Sequence, residues 1–122
     1  MDFINIEIVK SFLSNNALEF NSAQSRLSYP IIERIFYILK AGIIFDLIKV
    51  DREKNLIVHG HHRYVSLALH NSATIENIPW TASFSSIAHP WSTVEISEED
   101  FDQPEDVARY VAEYGEINTR PN

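Results

Sequence analysis

Leu56-Ile57-Val58-His59-Gly60-His61-His62-Arg63-Tyr64-Val65-Ser66-Leu67-Ala68-Leu69 is the stretch on which the reading of this chain turns. Leu56-Ile57-Val58 is apolar throughout, which predicts a strand and, because nothing polar interrupts it, a central one. At Gly60 the period changes. Val65, Leu67, Ala68 and Leu69 fit a buried helix that ends near His70-Asn71. A helix that opens directly after a strand and a glycine presents backbone N–H groups with no internal partner, at the positive end of its dipole. Glycine allows the sharp turn and the close approach of a ligand. Arg63 offers a planar fork of donors that matches phosphate, and His61 and His62 add donors that are charged or neutral near pH 7. Helix starts of this kind bind phosphate, so the first expectation is an anion site, with nucleotide phosphate the leading ligand.

Two other readings apply to the same residues. His59, His61 and His62 could hold a metal, but His61 and His62 project roughly 100° apart on a helix. Carboxylates such as Asp51 or Glu53 would have to join them, so no protein-ligated metal is expected. The plainest reading pairs Arg63 with a surface carboxylate and leaves the histidines as polar residues at a helix start.

Working outward, Leu47-Ile48-Lys49-Val50 reads as a second strand. Asp51–Asn55 forms a five-residue connection that makes the two strands a hairpin. Upstream, Pro30 fits the first turn of a helix with Ser28 as its cap, and Ile31, Ile32, Ile35, Phe36, Ile38 and Leu39 give it a wide apolar face. Gly42 is its natural stop. Ile4, Ile8, Val9 and Phe12 predict a short amphipathic helix over residues 4–14. The polar stretch 15–28 reads as a loop.

Downstream, Ile75, Ile78 and Trp80 predict a strand, residues 81–91 a loop and Thr93–Ile96 a strand. Ser97 is placed to cap a turn. A last helix runs from Pro104 to Tyr114, with Val107, Tyr110, Val111 and Tyr114 on one face and Glu105 and Asp106 in its first turn, as the dipole prefers. Gly115 ends it and residues 119–122 fray. Trp80 and Trp91 are read as core residues ahead of stacking platforms. Glu98, Glu99, Asp100 and Asp102 are read as a solvated approach to the last helix. The alternation of short strands and helices gives an α+β class, a small mixed sheet flanked by helices, with residues 1–122 forming one domain.

Composition narrows the function. The net charge of −7 argues against duplex DNA as a partner, because phosphate backbones demand a basic face. The chain contains no cysteine, which excludes disulfides, thiolate catalysis and cysteine-bound zinc. Its first residues lack the basic and apolar runs of a signal peptide. Its apolar stretches fall short of the ~18 residues a membrane span needs, so no membrane partner is expected. The default location is cytoplasmic, or secreted for a toxin fragment of a longer chain.

The run from Leu56 to Leu69 resembles the signature box of the ParB/sulfiredoxin superfamily, in which a strand ends in Gly, one variable residue, and a His-Arg or Arg-Arg pair that opens a helix. Gly60-His61-His62-Arg63 looks most like the kinase-like and uncharacterised branches. The stretch Ile35–Asp51 resembles the family's first box: a helix, a glycine and a strand. The likeness covers roughly residues 30–70. It implies that Gly60, His61, His62 and Arg63 hold the phosphates of a nucleoside di- or triphosphate (ATP, ADP or CTP). Lys49, on the strand beside the box, is placed to reach a phosphate as well, and phosphoryl chemistry would bring Mg²⁺ to bridge the phosphates. Where the sulfiredoxin cysteine would stand this chain has His61, so sulfinic-acid reduction is excluded. Where the family carries a Ser or Thr late on the first helix, this chain has Tyr37.

If a phosphoryl group is hydrolysed or transferred, His62 and Arg63 would stabilise the charge and Glu33 would serve as general base. Tyr64 is assigned to packing. Two rivals remain at this level: a bacterial toxin-type nuclease or nucleotide-modifying module, and a non-catalytic immunity or antitoxin-like module that binds a cognate protein.

Overall fold

The computed structural model describes residues 2–43, 47–70, 77–79 and 87–114. It is an α+β arrangement. Its elements in chain order are α1 (Ile6–Asn15), β1 (Arg26–Ser28), α2 (Tyr29–Lys40), β2 (Ile48–Asp51), β3 (Leu56–His59), α3 (His61–His70), β4 (Asn77–Pro79), β5 (Glu95–Ser97) and α4 (Pro104–Tyr114). A single 3-10 turn, Trp91–Thr93, precedes β5. Trp80, residues 81–86, Gly115 and the tail lie outside the described residues, as do Asn71 and Ile75.

The helices form where the apolar spacing places them. Asn5 caps α1 by accepting the Ile8 N–H at 2.8 Å, and Val9 and Leu13 turn inward. In α2, Pro30 sits in the first turn, and the helix closes into Gly42 at φ +92°, a conformation open to glycine at little cost. Ser28 occupies the cap position of α2 without capping it. Its hydroxyl instead donates to the Glu99 carbonyl at 2.8 Å.

The hairpin β2–β3 forms as expected, with a connection one residue shorter because Asp51 joins β2. Asp51 Oδ1 accepts the Lys54 N–H at 3.1 Å, and Asn55 takes the left-handed conformation at φ 56° that asparagine tolerates. The expectation that β3 is central is corrected. The order is β3-β2-β4, with β2 in the middle, antiparallel to β3 and parallel to β4. The apolar run of β3 is covered differently: Asn21 bridges Leu56, donates to the Asn55 carbonyl and accepts the Ile57 N–H at 3.0 Å.

The loop expected over residues 15–28 is also corrected. Its end, Arg26–Ser28, is β1, paired in parallel with β5, and Ser22 bridges His89. This polar segment satisfies its backbone largely by bonding to distant chain, with the Ser22 hydroxyl serving Gln24 locally.

The main core draws on α1, β1, α2, β2, β3, α3 and β5. Val9, Leu27, Ile32, Phe36, Ile48, Val50, Ile57 and Val65 are fully buried in it. Trp91 belongs to it: it is 5% exposed, stacks on Tyr64 with centroids 6.0 Å apart, and donates its indole N–H to the Phe20 carbonyl at 2.7 Å. Tyr64 packs there too, its hydroxyl accepting the Phe20 N–H at 3.2 Å. In contrast, α4 has no buried residue.

Candidate functional site

The turn between β3 and α3 is built around Gly60. Its φ is +97°, outside the range that side chains tolerate. A Cβ there would also lie 2.9 Å from Arg63 Nη2 and 2.9 Å from the buried Ile48 Cδ1. Gly60 therefore serves twice. It turns the chain from strand to helix, its carbonyl accepting the Tyr64 N–H at 2.8 Å, and it leaves space for the Arg63 guanidinium to lie against the backbone. That guanidinium also donates to His59 Nδ1 at 3.1 Å. Lys49 stands opposite His59 across the hairpin.

His61 and His62 are fixed by hydrogen bonds of one kind. His61 Nε2 accepts the Ala23 N–H at 3.0 Å, and His62 Nε2 accepts the Ser28 N–H at 3.0 Å. A backbone amide can only donate, so both Nε2 atoms are unprotonated and the proton of each neutral ring sits on Nδ1. Burial pushes both rings down to about 4, helped at His61 by its neighbours His62 and His59. The expectation that these rings could be charged near pH 7 is corrected to two neutral N–H donors. Among the described residues neither Nδ1 meets a partner in the protein, and no buried side-chain nitrogen is left unsatisfied.

These residues line an open cleft of about 620 Å³, within the range of small-molecule sites. Lys49, His59, Gly60, His61, His62 and Arg63 form its floor; Ile31 and Ile35 of α2 lie along one side. Phe101, Asp102 and α4 form a further wall, α4 through Asp106, Arg109, Tyr110, Glu113 and Tyr114. The floor carries two fixed cations, Lys49 and Arg63, beside the start of α3. The wall is mixed and partly self-neutralised: Asp106 bonds Arg109 at 2.6 Å, and Asp102 bonds Arg34 at 2.8 Å. Arg34 reaches Asp100 as well.

Burial raises the Asp102 carboxyl above its usual range, against the pull of Arg34. Burial, with help from Asp102, also raises the Tyr110 phenol, which stays neutral at ordinary pH.

The structure brings together Gly60, His61, His62, Arg63 and Lys49. It does not bring Glu33 to them. Glu33 is two positions from both Ile31 and Ile35, hence roughly 200° around the helix from the residues of α2 that line the cleft. Its carboxylate accepts the Tyr29 hydroxyl at 2.8 Å instead. Tyr37 is likewise elsewhere, buried with its hydroxyl accepting the Ile4 N–H at 3.3 Å. The general-base assignment to Glu33 is thereby corrected.

The α4 wall was not marked by sequence reasoning. Its one available signal was two tyrosines on the apolar face of a predicted helix. For Mg²⁺, no three His, Cys, Asp or Glu side chains converge among the described residues. Asp102 and Asp106, the carboxylates on the wall nearest the floor in sequence, already face arginines. Among the described residues no group of side chains holds Mg²⁺ by itself.

Among the described residues no helix is long and apolar enough to cross a membrane. Comparison with family models, with curated proteins and with solved structures finds no match for this chain.

Proposed function

We propose that this chain is a nucleotide-binding domain whose cleft takes phosphate at the floor, over Gly60–Arg63. One observation carries the reading: two adjacent histidines that line the cleft at a helix start, with Lys49 and Arg63, are anchored through Nε2, so that the proton of each neutral ring sits on an Nδ1 with no hydrogen-bond partner among the described residues. Backbone N–H groups, two imidazole donors and two fixed cations suit an anion with several acceptor oxygens. The resemblance of Gly60-His61-His62-Arg63 to the phosphate box of the ParB/sulfiredoxin superfamily supports the same ligand.

The same geometry favours binding over turnover. A general base needs a free lone pair within reach of the proton it takes. The Nε2 lone pairs of His61 and His62 are occupied, Asp102 and Asp106 face arginines, and Glu33 is on another face. Neutral Nδ1–H groups can hold a phosphate but cannot accept a proton.

Calorimetric titration of ATP, ADP and CTP, each with and without Mg²⁺, tests the proposal. The expected result is saturable binding that Arg63→Ala weakens at least tenfold, with no release of phosphate on prolonged incubation. A folded chain that binds none of the three overturns the reading. Turnover abolished by His62→Ala would replace a binding role with a catalytic one.

A further inference from the structure

Helix α4 lies over a cavity rather than on the core. It has no buried residue, and of its half-buried residues Asp106, Tyr110 and Tyr114 line the cleft while Val107 does not. Tyr110 and Tyr114 stand with ring centroids 6.1 Å apart, and Phe101 adjoins them in the same wall. The ring of Phe101 is already held from beneath, with the Arg26 guanidinium 5.2 Å from its centroid and the His62 ring edge-on at 6.5 Å. An amphipathic helix ordinarily buries its apolar face against protein. Here Tyr110 and Tyr114 of that face line the cleft, which is lined as well by the donors of Gly60–Arg63.

We infer that the aromatic face of α4 is the subsite for the planar base of the nucleotide, and that the bound base completes the packing of α4. The inference rests on the phosphate assignment above and adds the ligand's other end. A cleft lined by aromatic rings and by donors matches a ligand with a heteroaromatic ring at one end and phosphate at the other. Pyrophosphate alone would occupy the floor and leave α4 as it is. Stacking is tolerant of base identity, so adenine and cytosine nucleotides should bind within a few-fold of one another.

The test compares ADP with inorganic pyrophosphate on the full chain, by calorimetry and by hydrogen exchange of residues 104–114. ADP is expected to bind about tenfold more tightly than pyrophosphate, the size expected of one stacked base. It alone should slow exchange in α4. Tyr110→Ala is expected to remove the preference and the protection while leaving pyrophosphate affinity in place. Tyr110 is half-buried and alanine is a strong helix former, so the variant should keep the fold, which circular dichroism checks.

Equal affinity for ADP and pyrophosphate in the wild type overturns the base subsite and keeps the phosphate site. A preference for ADP that survives Tyr110→Ala also overturns it. Binding of neither ligand overturns the phosphate assignment, and the base subsite with it.

Discussion

At the scale of single residues, the site depends on Gly60. Its left-handed backbone and the two 2.9 Å approaches make it a position where even alanine does not fit. Gly60→Ala is expected to lose about 1–3 kcal/mol of stability from backbone strain and to displace Arg63, measured by urea unfolding. A cost below about 0.5 kcal/mol would mean that the turn relaxes freely.

This much was legible from the chain, because a glycine between an apolar strand and an apolar helix has a local cause. The protonation of the neighbouring histidines was not legible. His61 and His62 are neutral because they are buried, with Ala23 and Ser28 donating to their Nε2 atoms, and those donors arrive from a segment that reads as polar loop. Glu33 shows the reverse error. Its type suits a general base, but a helical rotation of two residues carries it away from the cleft.

At the scale of elements, α2, α3, α4 and the β2–β3 hairpin follow from spacing and end signals, and they match the expected spans closely. The three-residue β1 was missed because Arg26-Leu27-Ser28 is too short for its alternation to stand out from the polar run around it. Its partner β5 lies far along the chain, and only tertiary pairing makes it a strand. β3 was placed at the sheet centre for want of a rule that a bridging loop can cover an edge.

Helix α4 makes a sharper claim, because it is held at its start by Arg34 bonded to Asp100 and Asp102. Arg34→Met leaves Asp102 in surroundings that already disfavour its charge. The pair is partly solvated, so the expected loss is about 1–2 kcal/mol, below the cost of breaking a fully buried pair. Hydrogen exchange in residues 104–114 should quicken more than exchange in α1. Asp102→Asn on the Arg34→Met background should recover part of the loss. An unchanged α4 in the single variant would contradict this anchoring.

At the scale of the whole molecule, the two histidines tie stability to pH. Their folded values, about 4, lie below the unfolded value near 6.5. Between those limits the unfolded chain binds more protons than the folded one, so stability falls as pH drops from 6.5 to about 4 and levels off below. Full expression of both shifts would cost on the order of 3 kcal/mol per ring, a large part of the stability of a chain this size. Thermal unfolding against pH should show this fall. His61→Gln, which keeps an acceptor where Nε2 stood but does not titrate, should flatten the slope by about half. A flat profile in the wild type from pH 6.5 to 4.5 would contradict the assigned hydrogen bonds.

The central claim is that phosphate sits over the start of α3. Its most direct test is a two-dimensional amide NMR titration of the ¹⁵N-labelled chain with inorganic pyrophosphate at pH 7, in wild type and Arg63→Ala. The account predicts saturable shifts concentrated at the amides of Gly60, His61, His62 and Arg63 and at the Nδ1–H signals of both histidines, largely lost in Arg63→Ala. Shifts that are absent, or that spread over Lys and Arg residues elsewhere and survive the substitution, would contradict it.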